Sequence, residues 1–171
     1  MKMQRLFLIP AMLFVLCAHA ARAGDCESAA STDRFDINND GTVTEIETGL
    51  TWMRCAVGQQ WDGATCKGQA QAMSWQEANN YVAELNQIGS TAHKDWRLPN
   101  LNELATISEL RCGPPRINRV VFPNAGENVF WTKNIKPGNS QYAYTLSFGE
   151  TGVDSSALSA AHYVRLVRGR N

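Results

Sequence analysis

Three sets of side chains in this sequence have the types and spacing to do chemistry. The first is Asp36-Ile37-Asn38-Asn39-Asp40-Gly41-Thr42-Val43-Thr44-Glu45-Ile46-Glu47. Oxygen ligands on alternate residues, a glycine for the sharp turn and a closing glutamate make the pattern of a calcium loop. That reading names Asp36, Asn38, Asp40 and Glu47 as ligands and calcium as a cofactor. A calcium-binding helix–loop–helix also needs flanking helices, and Thr48-Gly49 breaks the exiting one at once. The run therefore reads first as strand, turn, strand, with the calcium site as its alternative. The second set is aromatic: Trp61, Trp75, Trp96, Trp131, Tyr142 and Tyr144 could stack on sugar rings, with Asn100, Asn124 and Arg97 bonding hydroxyls. Against this, Trp in compact domains mostly fills core. The third is an arginine set, Arg111, Arg116 and Arg119 near a Pro-Pro step and Arg165, Arg168 and Arg170 at the C-terminus. The planar guanidinium suits sulfate or carboxylate. From these sets Trp61, Trp131, Arg165 and Arg168 are the expected ligand-binding residues.

Enzymatic chemistry finds less support. The sequence holds no G-x-S-x-G or H-E-x-x-H motif, and His93 and His162 stand without a serine or cysteine beside them. The expectation is a protein that is not an enzyme, with no catalytic residue.

Residues 1–23 read as a signal peptide: Lys2 and Arg5, an apolar run from Leu6 to Ala18, then Ala21-Arg22-Ala23 as the cleavage site. The apolar run is short for a membrane span, and Leu16 stands where a lipobox before Cys17 needs a small residue. Cleavage after Ala23 leaves residues 24–171, 148 of the 171, enough for one domain with a real core. Losing Lys2, Arg5 and Arg22 lowers Lys+Arg from 16 to 13 against 16 Asp+Glu, a net charge of −3. Such a balance gives no bulk attraction to nucleic acid or an anionic membrane. Cys26, Cys55, Cys66 and Cys112 remain, an even set that in an exported protein reads as two disulfides with three connectivities open. Cys55–Cys66 is the first choice, because Gly58, Asp62 and Gly63 let that loop turn back; Cys26–Cys112 would follow. The spacing does not suit zinc.

Positioning these groups falls to a small set of elements. Residues 35–54 read as a hairpin about Asn38–Gly41, and 55–72 as a glycine-rich loop. A helix from Trp75 to Gln87 has Ser74 as cap and Glu77 as its capping-box partner. The stretch Asp95-Trp96-Arg97-Leu98-Pro99 arrives extended, because proline disfavours helix in the residue before it. Asn100 and Glu103 then cap a second helix over Leu101–Leu110. Strands are expected at Val129–Thr132, Tyr142–Phe148, Gly152–Ser156 and Tyr163–Val167. The order predicts an α+β fold, two helices packed on short antiparallel strands and braced by disulfides.

Four motifs occur in order: T-G-L-T-W-M-R-C (Thr48 to Cys55), W-D-G-A-T-C (Trp61 to Cys66), D-W-R-L-P-N-L-N-E-L (Asp95 to Leu104) and Y-V-R-L-V-R-G (Tyr163 to Gly169). With Val121-Phe122-Pro123-Asn124 and Phe130-Trp131-Thr132 between them, the chain resembles the Lcl C-terminal domain family, named after the Legionella collagen-like adhesin, from about Phe35 to Gly169. The resemblance implies a C-type lectin-like fold and a bacterial protein exported to the periplasm, the cell surface or the medium. It also implies binding, since the best-known member takes sulfated glycosaminoglycans. This chain departs in having no Gly-X-Y stalk and in reading R-L-V-R where the family often shows R-C-V-R. The E-P-N or Q-P-D with W-N-D triplets of calcium-bridged lectins are absent as well.

The reading that results is an exported, carbohydrate-binding or adhesion-type domain. Its partner is a surface glycan or an envelope protein, and neither nucleic acid nor a membrane span is expected. The rival is a structural accessory of a surface appendage or envelope complex. A formylglycine-generating type of enzyme is a distant third, because the cysteines it needs are expected in disulfides. The loops 58–68 and 133–141 are the expected seat of function.

Overall fold

The computed structural model describes residues 31–89, 91–109 and 113–169. Its fold is α+β and mostly strand. The alternation of Phe35, Ile37, Val43 and Glu45 around a turn makes β1 (Phe35–Ile37) and β2 (Thr42–Glu45) an antiparallel hairpin, with Phe35 opposite Glu45. β3 (Thr51–Met53) continues the meander, and β11 (Val167–Arg168) closes a four-stranded antiparallel sheet in the order β1-β2-β3-β11. Gly41 takes φ +80° at the turn, a region glycine enters without steric cost.

A second sheet has the order β6-β10-β7-β8-β9, from β6 (Ala72–Met73), β7 (Val129–Ile135), β8 (Tyr142–Ser147), β9 (Val153–Ala157) and β10 (His162–Tyr163). All its pairs are antiparallel except β10 with β7. Between β3 and β6, β4 (Gln60–Trp61) and β5 (Cys66–Lys67) form a two-stranded ribbon, whose turn-side residue Cys66, opposite Trp61, is tied to Cys55 by a disulfide. That pairing is the expected one. Cys26 and Cys112 lie outside the described residues.

Both helices form as their caps predict. In α1 (Trp75–Ile88) the Ser74 hydroxyl accepts from the Glu77 amide and the Glu77 carboxylate accepts from Ser74, while Gly89 ends the helix in the left-handed region. In α2 (Leu101–Thr106) Asn100 and Glu103 do the same. The second helix is shorter than the Leu101–Leu110 expected. Beyond Thr106 the chain leaves the helix to bridge Ser108 to Ile117, and Glu109 N–H donates to Arg116 O. Ile107 stays fully buried by this route, so its apolar spacing did not require a further turn.

Two apolar cores lie side by side. One joins the first sheet to α2 through Val43, Trp52, Leu104, Ile107, Phe122 and Phe130; the other lies under α1 and contains Ala78, Trp96, Leu98, Trp131, Val164 and Leu166. The expected single strand Tyr163–Val167 is divided between the sheets, and its middle runs between the cores. Successive side chains point to opposite sides. Val164 and Leu166 enter one core, while Tyr163 and Val167 join the other. Their backbone bonds go to the 53–57 segment, Met53 N–H to Leu166 O and Val57 N–H to Val164 O.

Candidate functional site

The Trp96 corner supports the site from below. Trp96 is 2% exposed; its amide donates to Asn86 Oδ1, its carbonyl accepts from Asn86 Nδ2, and its indole N–H donates to Thr91 Oγ1 at 3.0 Å. Asn86 belongs to α1, so the corner is pinned to that helix. Arg97 exchanges backbone hydrogen bonds with Val167 in the first sheet, and its guanidinium grips Glu103 of α2 at 2.7 and 2.8 Å. Burial alone would raise the Glu103 pKa, but hydrogen bonds from Arg97 and the Asn100 amide outweigh it and hold the carboxyl below its ordinary value. Two residues beyond Arg97, Pro99 O accepts from Lys133 N–H in β7 of the second sheet. The corner is a bracket between both sheets and both helices.

Above it opens a cavity of about 340 Å³, within the size range of small-molecule sites. Three aromatic side chains border it: Trp96 at its base, Tyr81 from α1 and Trp61 from the ribbon. Asp40 and Thr42 come from the β1–β2 turn, His93 and Thr91 from the loop before the corner, and Gln59 from the ribbon's approach. Cys55, Met53, Ala56 and Val57 complete an apolar lining.

Trp61 is held by two independent contacts. Its ring lies against the backbone of Gly41, where an added Cβ would come within 2.6 Å of the indole. The Arg54 guanidinium stacks on it at 4.2 Å. Arg54 in turn donates to the carbonyls of Val121 and Val120. The Trp61 indole N–H is buried without an acceptor among the described residues, as is that of the core residue Trp52.

At the lip, Asp40 Oδ1 accepts from the Thr42 amide and hydroxyl. The hydroxyl bond is the main cause of a pKa below the ordinary carboxylate value, so the group is ionised at neutral pH. Asp40, Thr42 and His93 also border an adjoining open groove that contains Asn38, Thr44 and Arg168. Arg168 is paired with Asp95 at 3.3 Å and stands 6.0 Å from the centre of the Trp96 ring.

Of the four expected ligand residues, Trp61 and Arg168 thus meet on neighbouring depressions. Trp131 and Arg165 are corrected to the interior. Trp131 is fully buried with its indole N–H on Met73 O, and Arg165 is 1% exposed with its guanidinium on the carbonyls of Met53 and Arg54. Neither offers surface to a ligand. The Asp36, Asn38, Asp40 and Glu47 set is not gathered into a calcium cage. After Gly41 the chain runs straight along β2, leaving Glu47 at the opposite end of the hairpin from Asp40. Asn38 meanwhile bonds Thr42 and Thr44. Among the described residues no group of three or more His, Cys, Asp or Glu could hold a metal ion. Tyr81, His93 and Gln59 were missed as site residues, because only the tertiary fold brings their distant positions together.

A second correction concerns His162. It is not isolated: its Nε2 lies 2.7 Å from Ser156 Oγ, and the ring packs edge-on against Trp131. Burial lowers its pKa from the ordinary 6.5. A depressed folded-state value means that the unfolded chain takes up the proton first as pH falls. The stability tied to neutral His162 is therefore complete above about pH 6.5 and is lost as pH drops below it. Thermal melts from neutral to mildly acidic pH should show a falling midpoint, and H162Q should flatten that slope; an equal slope in the variant would refute the assignment.

These features describe an α+β fold with a partly enclosed, aromatic-bordered cavity, and among the described residues no helix is long and apolar enough to cross a membrane. The chain belongs to the Lcl C-terminal domain family, an adhesin-type family, whose sequence model matches residues 41–168. No curated protein matches the chain.

Proposed function

We propose that the Trp61 cavity is a sugar-binding site and that the protein is an exported, lectin-like adhesion module for a surface glycan. The observation that carries this reading is the combination of aromatic rings with a carboxylate, an amide and a hydroxyl around a space of about 340 Å³. Sugar rings present apolar C–H faces that pack on aromatic surfaces, and hydroxyls that need both donors and acceptors. Asp40 supplies an acceptor and the Gln59 amide nitrogen a donor, while the Thr91 hydroxyl, which donates to His93 O, keeps only an acceptor lone pair. The Cys55–Cys66 disulfide of the ribbon fits an oxidising compartment outside the cytoplasm. It also fixes the ribbon that carries Trp61.

The test is a glycan array followed by titration of the hits, read by tryptophan fluorescence, since Trp61 and Trp96 both border the cavity. W61A is expected to lose at least tenfold in affinity, the scale of one stacked ring and its desolvated contacts, with a melting midpoint close to wild type. A bare array, or hits that bind W61A as well as wild type, would overturn the proposal and turn attention to an envelope protein partner. Repeating the array with chelator tests whether calcium at the Asn38–Asp40 turn contributes.

A further inference from the structure

We infer that the open groove beside the Trp61 cavity is a second subsite, so that the ligand is a chain of several sugar units. The inference rests on the sugar-site reading above and deepens it by naming the length of the ligand. Cavity and groove are continuous, because Asp40, Thr42 and His93 line both. The groove has a volume of about 610 Å³, beside about 340 Å³ for the cavity, so most of the combined space lies outside the aromatic rings.

Strand register builds the floor of the groove. Thr44 lies opposite Asp36 on one side and Thr51 on the other, and Thr51 lies opposite Arg168. Residues directly opposite one another share a face of the sheet, so these four form one row across it. Val43 and Trp52 point the other way, into the core. Hydrogen bonds hold the floor in order. Asn38 Nδ2 donates to Thr42 Oγ1 at 2.9 Å, the Thr42 hydroxyl donates to Asp40 Oδ1, and Thr44 Oγ1 stands 3.1 Å from Thr51 Oγ1. Only one of that threonine pair can donate to the other. Among the described residues, one hydroxyl hydrogen is therefore left for an acceptor in the groove. The Asn38 and Asp40 side-chain oxygens add acceptors. Small, fixed donors and acceptors suit sugar hydroxyls. Trp61 and Trp96 border the cavity and not the groove, so stacking places the first ring and hydrogen bonding the units beyond it.

The test takes the strongest tetrasaccharide hit of the glycan array and the monosaccharides that compose it, titrated by tryptophan fluorescence. Wild type is expected to bind the tetrasaccharide about tenfold more tightly than the best of its monosaccharides, the scale of one or two added hydrogen bonds. T44Y puts a strand-favouring ring into the groove and changes no residue that lines the cavity. It should bind the tetrasaccharide no better than the monosaccharide, whose affinity stays at the wild-type value. T44V keeps the shape and removes the hydroxyl; it should melt as wild type does and lose about threefold for the tetrasaccharide alone. Equal binding of tetrasaccharide and monosaccharide by wild type, or an array whose hits are all monosaccharides, would overturn the second subsite and leave the cavity standing. So would T44Y and T44V proteins that hold the tetrasaccharide as tightly as wild type. If T44Y melts early, T44V decides. A bare array would remove both readings.

Discussion

W96A is expected to unfold the protein far more readily than any change at the cavity rim, by about 3 kcal/mol or more. The indole is almost wholly enclosed in the core beneath α1, in company with Leu98, Trp131 and Leu166. Removing it leaves a large apolar void that the surrounding structure cannot fully close, because Asn86 still holds the Trp96 backbone from both sides. It also strands Thr91 Oγ1, which accepts the indole N–H while its own hydroxyl donates to His93 O. The loop carrying His93 would then lose its tie to the corner. W96F separates the two effects: it keeps most of the ring volume, loses the single hydrogen bond, and should cost about 1 kcal/mol for that bond plus a modest packing loss. Urea denaturation of wild type, W96F and W96A should therefore give midpoints in descending order. A W96A protein with wild-type stability would refute the bracket reading of the corner. Because Trp96 also borders the cavity, W96A will weaken ligand binding too, but through a disordered site; W61A removes a ring without touching the bracket.

The corner shows what kind of information local sequence carries. Ser74 with Glu77 and Asn100 with Glu103 place both helix starts because a capping box is complete within four consecutive residues. The hairpin at Asn38–Gly41 was legible for the same reason, and so was Cys55–Cys66 across its glycine-bearing loop. The calcium pattern stands beside the turn pattern on the same hairpin because turns and calcium loops draw on the same residues, Asp, Asn and Gly. What separates them is whether the flanks repeat every second residue or every third to fourth, and Phe35, Ile37 and Val43 repeat as strands do. The cavity was not legible. Residues 40, 61, 81 and 93 come from four separate segments, and no spacing rule links a turn, a ribbon, a helix and a loop. Of these, Trp61 stood out beforehand as one of several aromatics that could stack on a sugar and Asp40 as a candidate calcium ligand, each without the other. The Ser156–His162 contact escaped for a related reason: six residues apart, the two side chains sit on different strands and meet only because the short turn between β9 and β10 brings the chain back on itself.

R165A should be the second severe substitution, costing about 3 kcal/mol or more. In the sequence Arg165 reads as a candidate anion-binding arginine near Arg168 and Arg170, yet it is among the most completely buried large side chains of the described residues. Alternation explains how: Val164 and Leu166 occupy one core, so Arg165 must point into the other, where it lies over Phe122 at 4.7 Å and Phe130 at 5.4 Å. Its N–H groups donate to Met53 and Arg54 carbonyls, while Nε is buried without an acceptor among the described residues. Burial pushes its pKa down to about 9, so the guanidinium is still charged at neutral pH. Depression of the folded-state value means that burying this cation opposes folding at neutral pH, an opposition eased only by alkaline conditions. What retains it is shape: the stem fills the space between the two cores, and the planar head both stacks on rings and bonds carbonyls. R165M keeps the stem, removes the buried charge and leaves two carbonyls short of a donor. It should therefore melt within about 2 kcal/mol of wild type, because losing the desolvated charge offsets much of the lost hydrogen bonding. R165K keeps the charge as a compact, strongly hydrated ammonium that cannot lie flat on Phe122, and it should be less stable than R165M. An R165K protein more stable than R165M would show that the charge itself holds the two cores together; the order R165M, R165K, R165A would show that the stem does.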